Sequence, residues 1–357
     1  MKSRINCLAL LLAGFTAMAV QAQATGNCEN APAQAAANSR AGARHASADV
    51  SPQMQAMIGA SSAPFFNAAP KDAASWKALA GQHAAPVIAA MPTLKEKLGV
   101  DVESTQIAGV KVFIVTPKNL PSSNKNRLLM HVHGGAYVLG GGESALPEAI
   151  FLASFGGYKV VSVDYRMPPD FPYPAGMDDA MAVWKALIQT NKPANMAVFG
   201  TSAGGAMTLA LMHRAKAEKV PLPAAIAPGT PWADIARIGD TYKTNEWIDN
   251  VLVTWDGLLC RAALLYAAGH DLKDPQLSPI YGDFSGFPPA ILTTGTRDLF
   301  LSNTVRTHRK LRRAGVVADL NVYEAQSHAQ YSFNPGAPET QEAFMDIAQF
   351  FDKYLGR

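Results

Sequence analysis

Short apolar runs alternating with longer amphipathic ones dominate this chain from about residue 110 onward. Val110 to Thr116 alternates with the two-residue period of a strand, and Leu128 to His133 and Val160 to Asp164 read as buried strands. Met196 to Phe199, Ala224 to Ala227, Ala290 to Thr294 and Leu320 to Tyr323 continue the series. Helical spacing fills Met177 to Ile188, Gly204 to Ala217 and Asn303 to Ala314. Strands that are apolar throughout must be covered on both faces, and parallel neighbours need crossovers of this kind. The pattern therefore predicts an α/β fold: a mostly parallel sheet flanked by helices.

The rest of the chain divides around that core. Residues 1–24 read as an export signal: Lys2 and Arg4, an apolar run from Leu8 to Val20, then the small-x-small sequence Ala22-Gln23-Ala24. The run falls short of the roughly 20 residues that span a bilayer. A mature chain starting near Thr25, with no membrane anchor and a periplasmic or secreted location, is the expectation. Residues 25–50 are rich in Ala, Asn, Ser and Gln and read as a flexible leader. Residues 51–98 carry apolar positions at helical spacing, interrupted by Pro64, Pro70, Pro86 and Pro92, which predicts several short helices. The core is expected over 99–232 and 273–357. Between them, 233–272 holds no convincing strand but crowds Trp247, Ile248, Val251, Leu252, Trp255, Leu258 and Leu259, and is expected to form a helical cap insert with 51–98.

Composition excludes several classes. Apolar residues make up 48% and charged ones 17%, ordinary for a globular protein. The formal charge is +3, and +1 without Lys2 and Arg4 (3 − 2), with no basic cluster to suggest a nucleic-acid partner. Export would expose the chain to oxidising conditions. Cys7 leaves with the signal, so Cys28 and Cys260 remain. With Cys28 in the leader and a core too large to need a staple, the reading is two unpaired thiols, a disulfide being the open alternative.

Reactive groups in α/β sheets gather just past the C-terminal strand ends. Ser202 lies there, between the run Met196 to Phe199 and the small-residue helix start Gly204-Gly205-Ala206. A serine on a tight strand-to-helix turn needs small residues on either side, and Gly200 and Gly204 supply them. His133-Gly134-Gly135-Ala136 follows another strand, and its glycines let backbone N–H groups turn toward an acyl oxygen. The N–H groups of Gly135, Ala136 and Ala203 are the expected oxyanion donors, with Gly134 shaping the loop and His133 bracing it. Asp298 and His328 come just past two later strands. In the order Ser, Asp, His they form a nucleophile, an orienting acid and a general base. Activity should rise with pH as His328 loses its proton. His131 and His133 share a strand face, but no third or fourth ligand is apparent, so no metal is expected. His308, His45 and His83 are assigned to a solvated helix face or to segments before the sheet.

At these residues the chain resembles the hormone-sensitive-lipase-like family IV of bacterial esterases. The resemblance runs from about Val110 to the C-terminus. It rests on the oxyanion loop, Gly200-Thr201-Ser202-Ala203-Gly204-Gly205, Asp164-Tyr165-Arg166, Pro172-Tyr173-Pro174-Ala175, Asp178-Asp179, Ser278-Pro279 and Phe287-Pro288-Pro289. It implies an α/β-hydrolase core with a helical cap, and cofactor-free hydrolysis of short- to medium-chain esters. Gly295 to Asn303 is further similar to members described as lactone hydrolases. Two departures are Ala136 in place of the loop's usual third glycine, and the lack of a second acid after Asp298, where Asn303 is the nearest polar residue. Asp164, Arg166 and Asp179 read as structural ion-pair or capping groups. A ligand-binding protein on a hydrolase scaffold and an amidase or formamidase with the same triad are the competing readings. A homodimer stays open.

Overall fold

The computed structural model describes Cys28, Ala46 and residues 48–356. The expected export signal, most of the leader and His45 lie outside them. Eight strands form one sheet: β1 (Val100–Ile107), β2 (Val110–Pro117), β3 (Leu128–Val132), β4 (Lys159–Val163), β5 (Met196–Thr201), β6 (Ala225–Gly229), β7 (Ala290–Gly295) and β8 (Ala318–Tyr323). Their spatial order is β1-β2-β4-β3-β5-β6-β7-β8. β2 is antiparallel to both β1 and β4, while β4 through β8 run parallel.

The helices of the core follow from the crossovers. They are α3 (Leu146–Gly156), α4 (Ala175–Thr190), α5 (Ala203–Ala217), α8 (Leu301–Arg313) and α9 (Pro338–Tyr354), with α1 (Pro52–Ile58) and α2 (Ala73–Leu98) before the sheet and α6 (Thr241–Thr244) and α7 (Leu258–Ala267) in the insert. The two-residue period of the strands sorts their side chains onto two faces. Met130, Val198, Ile226 and Leu292 pack with Met181 and Trp184 of α4 and Leu209 of α5. Leu129, Ala197, Phe199 and Ile291 face the other way, onto Phe151 of α3 and Phe344 and Phe351 of α9. Truncating a fully buried ring such as Phe344 to Ala should cost about 3–5 kcal/mol.

Three local expectations change. The N-terminal prolines do not divide residues 73–98 into short helices: α2 is one helix of 26 residues through Pro86 and Pro92. Gln82 and Ile88, whose carbonyls lose their helical donors to those prolines, are exposed, so water can satisfy them. Its ends are well marked by a capping box between Asp72 and Ser75 and by Gly99 in the left-handed conformation, φ 61°. Secondly, Val100–Ile107 is an additional strand at the sheet edge, half of its residues exposed, Asp101 and Glu103 among them. Thirdly, Cys28 and Cys260 are not free thiols but a disulfide, with Cα atoms 5.8 Å apart. Cys28 packs against the same core as the insert helix α7, which the composition of the leader did not reveal.

Candidate active site

The turn from β5 into α5 places Ser202 at φ 64° and ψ −121°, a conformation that non-glycine residues rarely adopt. Ser202 N–H donates to Gly229 O at 2.9 Å, and Ser202 O accepts from Ala206 and Trp232 N–H, both at 3.0 Å. These bonds hold the strained residue in place. The glycines at 200 and 204 are needed for a sharper reason than closeness of strand and helix. A Cβ at either would lie 2.0 Å from Val132 O of β3, so the neighbouring strand excludes any side chain.

The loop after β3 lies against the same turn. A Cβ on Gly134 would meet Thr201 O at 2.7 Å and the Ser202 Cβ at 3.3 Å. Gly135 has φ 107° and Ala136 and Tyr137 have φ 52° and 65°. Gly135 O accepts N–H bonds from Val138 and Leu139 at 3.0 and 2.8 Å, which curls the loop. His133 Nδ1–H donates to Gly134 O at 2.8 Å, its ring stacks on Tyr165 at 4.1 Å, and Tyr165 O–H donates to His133 O at 2.8 Å. Burial pushes the His133 imidazole down to about 4, so it stays neutral and serves as a brace.

Asp298 and His328, thirty residues apart, meet beyond the ends of β7 and β8. Asp298 Oδ1 lies 3.0 Å from His328 Nδ1 and also accepts Phe300 N–H at 2.7 Å. Asp298 Oδ2 accepts the Thr294 hydroxyl at 2.9 Å and the Thr230 hydroxyl. His328 Nε2 is buried with no hydrogen-bond partner. Ser202, His328 and residues 133–136 all line one cavity of about 320 Å³. Asp298 stands behind His328 rather than on the cavity wall, and Gly200, Ala203 and Gly204 lie in the turn and the helix start behind Ser202. The first N–H groups of that helix have no intrahelical acceptors.

Four residues at the site escaped the sequence reading. Thr230 and Thr294 fix the acid, and Thr294 is one helical turn's spacing before Asp298. Asp249, from the insert, is fully buried and carries a second carboxylate beside Asp298 and His328. Burial, then the negative charge of Asp298, pushes its carboxyl up to about 6. Its signal was an acid inside the apolar run Trp247 to Leu252. His83, dismissed on its position before the sheet, lines the cavity from α2 together with Val87. Asn303 does not replace the missing second acid; its amide donates to Tyr242 Oη at 3.0 Å.

The rest of the cavity wall is mostly apolar, with Ser144, Glu148, Thr201 and Ser332 as its polar members. Phe65 and Phe66 reach it, as do Val251, Leu252, Leu258 and Leu259 of the insert. The insert tryptophans stand behind it: Trp247 supports Phe66 edge-to-face at 5.8 Å, and Trp255 packs between Trp232 and Tyr242. His131 is held by Ser162 Oγ at 2.8 Å and Glu148 Oε2 at 3.1 Å. Among the described residues, no three His, Cys, Asp or Glu side chains converge as a metal site would require. His308 is half-buried, its Nε2 3.1 Å from Ala318 O. Arg166 pairs with Asp179 through two nitrogens, and Asp164 accepts Gly142 N–H at 2.8 Å, both tying down loops. No helix among the described residues is long and apolar enough to cross a membrane.

A strand–serine–helix turn at the centre of such a sheet defines an α/β-hydrolase. The comparison with known proteins agrees: residues 129–332 match the model of an α/β-hydrolase-fold family. A solved structure of esterase E25 superposes with a TM-score of 0.84 at 42% identity, covering 87% of this chain and 97% of that one. A solved esterase of the bacterial hormone-sensitive lipase family gives a TM-score of 0.68 at 26% identity, covering 77% and 99%. An acetyl-hydrolase of Streptomyces hygroscopicus is 30% identical over 232 residues, 65% of this chain and 77% of that protein. The chain belongs to the α/β-hydrolase fold family, among its hormone-sensitive-lipase-like bacterial esterases, and is by class a carboxylesterase.

Proposed function

We propose that this protein hydrolyses short- to medium-chain esters, and lactones of similar size, through Ser202, His328 and Asp298 by way of an acyl-enzyme. The observation that carries the reading is the shared apolar cavity onto which Ser202, His328 and the loop 133–136 open while His328 is tied to Asp298. At about 320 Å³ it sits at the small end of ligand pockets, which run from about 300 to 1,000 Å³. That size suits a small, apolar ester.

The steps follow from the placement. His328 Nδ1–H faces Asp298, which leaves Nε2 free to take the Ser202 proton as Oγ adds to the ester carbonyl. The oxyanion that forms is met by the N–H groups of Gly135, Ala136 and Ala203. His328 then returns the proton to the departing alcohol, and the acyl group stays on Ser202. Water repeats the sequence, with His328 again the base, and releases the acid.

The test is turnover of p-nitrophenyl acetate and butyrate, of a small lactone and of the corresponding anilide, by wild type and Ser202→Ala. Rapid ester hydrolysis lost in the variant is the expected result. Anilide turnover exceeding ester turnover would favour an amidase, and no turnover of any short acyl substrate would overturn the reading. The Cys28–Cys260 pair also supports export to an oxidising compartment, as the sequence of residues 1–24 suggests. Intact-mass measurement of exported protein should give a chain starting near Thr25.

A further inference from the structure

Asp249 is a buried carboxylate that the steps above leave unused. Its Oδ1 accepts N–H bonds from Val251 at 2.8 Å and Leu252 at 3.0 Å, which fix its own segment. Its Oδ2 accepts the N–H of Leu299 at 2.8 Å and that of His328 at 3.3 Å. Leu299 directly follows Asp298. One oxygen therefore links the loop after β7 to the loop after β8, where the acid and the base arise.

Neighbours extend the clasp. Asn245 Nδ2 donates to Asp298 O at 2.8 Å and to Thr296 O at 3.2 Å. Asn250 N–H donates to Ser327 Oγ at 3.1 Å. The segment 245–250 thus grips both loops from the insert, and only Asp249 brings charge to the grip.

We propose that Asp249 is a positioning residue: from the insert it holds Asp298 and His328 in register, and its charge favours the imidazolium that His328 becomes during attack. The proposal rests on the Ser202–His328–Asp298 reading. A carboxylate buried without a cationic partner is costly, and the four N–H groups that converge on its two oxygens offset that cost. Here the charge faces a base that gains a proton in the transition state, where a negative group helps most.

The charges around it are few. Asp298 and His328 face it from the two loops, and its raised carboxyl reflects burial and then Asp298. On its own segment, the carboxylate of Glu246 turns to the Thr254 hydroxyl at 2.7 Å and to Lys243 at 3.6 Å. The helix α1, whose end bonds Asn250, carries no titratable side chain. Protonating Asp249 puts an O–H where N–H donors converge and loosens the clasp. Full activity therefore requires both Asp249 and His328 to be deprotonated.

The experiment is the pH dependence of kcat and KM on p-nitrophenyl butyrate for wild type and Asp249→Asn, with folding followed by circular dichroism. In the variant, kcat should fall about ten- to a hundredfold with KM within about twofold. Loss of the negative charge lowers the proton affinity of His328, so the acid limb of kcat/KM should move to lower pH by about half a unit or more. An unchanged kcat, or a lost kcat with an unmoved limb, would overturn the proposal and leave Ser202 chemistry intact. Should Asp249→Asn not fold, Asp249→Glu is measured in its place: it keeps the charge, so its limb should stay near the wild-type pH, and a limb moved lower by about half a unit or more contradicts the proposal. If Ser202→Ala retains full turnover, the underlying reading fails and the proposal falls with it.

Discussion

Asp298 Oδ1 stands 3.0 Å from His328 Nδ1, and both side chains are almost wholly buried, so the imidazole is fixed with its other nitrogen toward the cavity. Three further donors, Thr230, Thr294 and Phe300 N–H, hold the carboxylate against rotation. Asp298→Asn keeps the shape but cannot hold the same tautomer. The expected outcome is a loss of about 10⁴ in kcat with a folded protein, read from steady-state kinetics beside circular dichroism.

Gly135 is a second sensitive point, for steric reasons. Its φ of 107° strains any side chain, and a Cβ would fall 2.2 Å from Leu139 O. Gly135→Ala must shift the loop that presents the oxyanion donors, and kcat should fall about a hundredfold or more. Ala136→Gly, at φ 52°, relieves strain and should leave kcat within a few-fold. Equal losses in both variants would contradict the assignment of the loop.

Much of this site was legible because strand-end chemistry leaves local marks. Ser202 with its glycines, the loop at 133–136, and the acids and bases after β7 and β8 could each be read in a few residues. What was hidden depended on tertiary contact. Asp249 is a lone acid in an apolar run until the fold sets it against Leu299 and His328. Helix α3 is buried on most sides, so it has no polar face to give it away. Strand β1 is an exposed edge with charged residues, and its pairing with β2 rather than its own pattern makes it a strand. Cys28 carries no local sign that it will reach Cys260.

The pH dependence of stability has a clear sign. The folded-state value of His133, about 4, lies below its ordinary 6.5, so the unfolded chain binds the proton first as pH falls. Stability should be full above pH 6.5 and decline toward pH 4, by about 3 kcal/mol from this residue. His213, also pushed down to about 4 by burial, adds to the same window. Denaturant midpoints measured from pH 8 to 4 check this, and His133→Gln should show a shallower decline.

The Cys28–Cys260 bond closes a loop of 232 residues in separation. Reduction, or Cys260→Ser, should lower stability by about 2–4 kcal/mol and Tm by several degrees. Thermal melts with and without a phosphine reductant read this directly. An unchanged Tm would mean that the tether adds nothing to the fold.

Ser202 as the nucleophile, backed by His328 and Asp298, is tested most directly by covalent labelling with a fluorophosphonate and peptide mapping of the adduct. One adduct per chain is expected, on Ser202, formed rapidly in wild type, slowly in His328→Ala and not at all in Ser202→Ala. An esterase-active protein that stays unlabelled, or carries its adduct on another residue, would contradict the account.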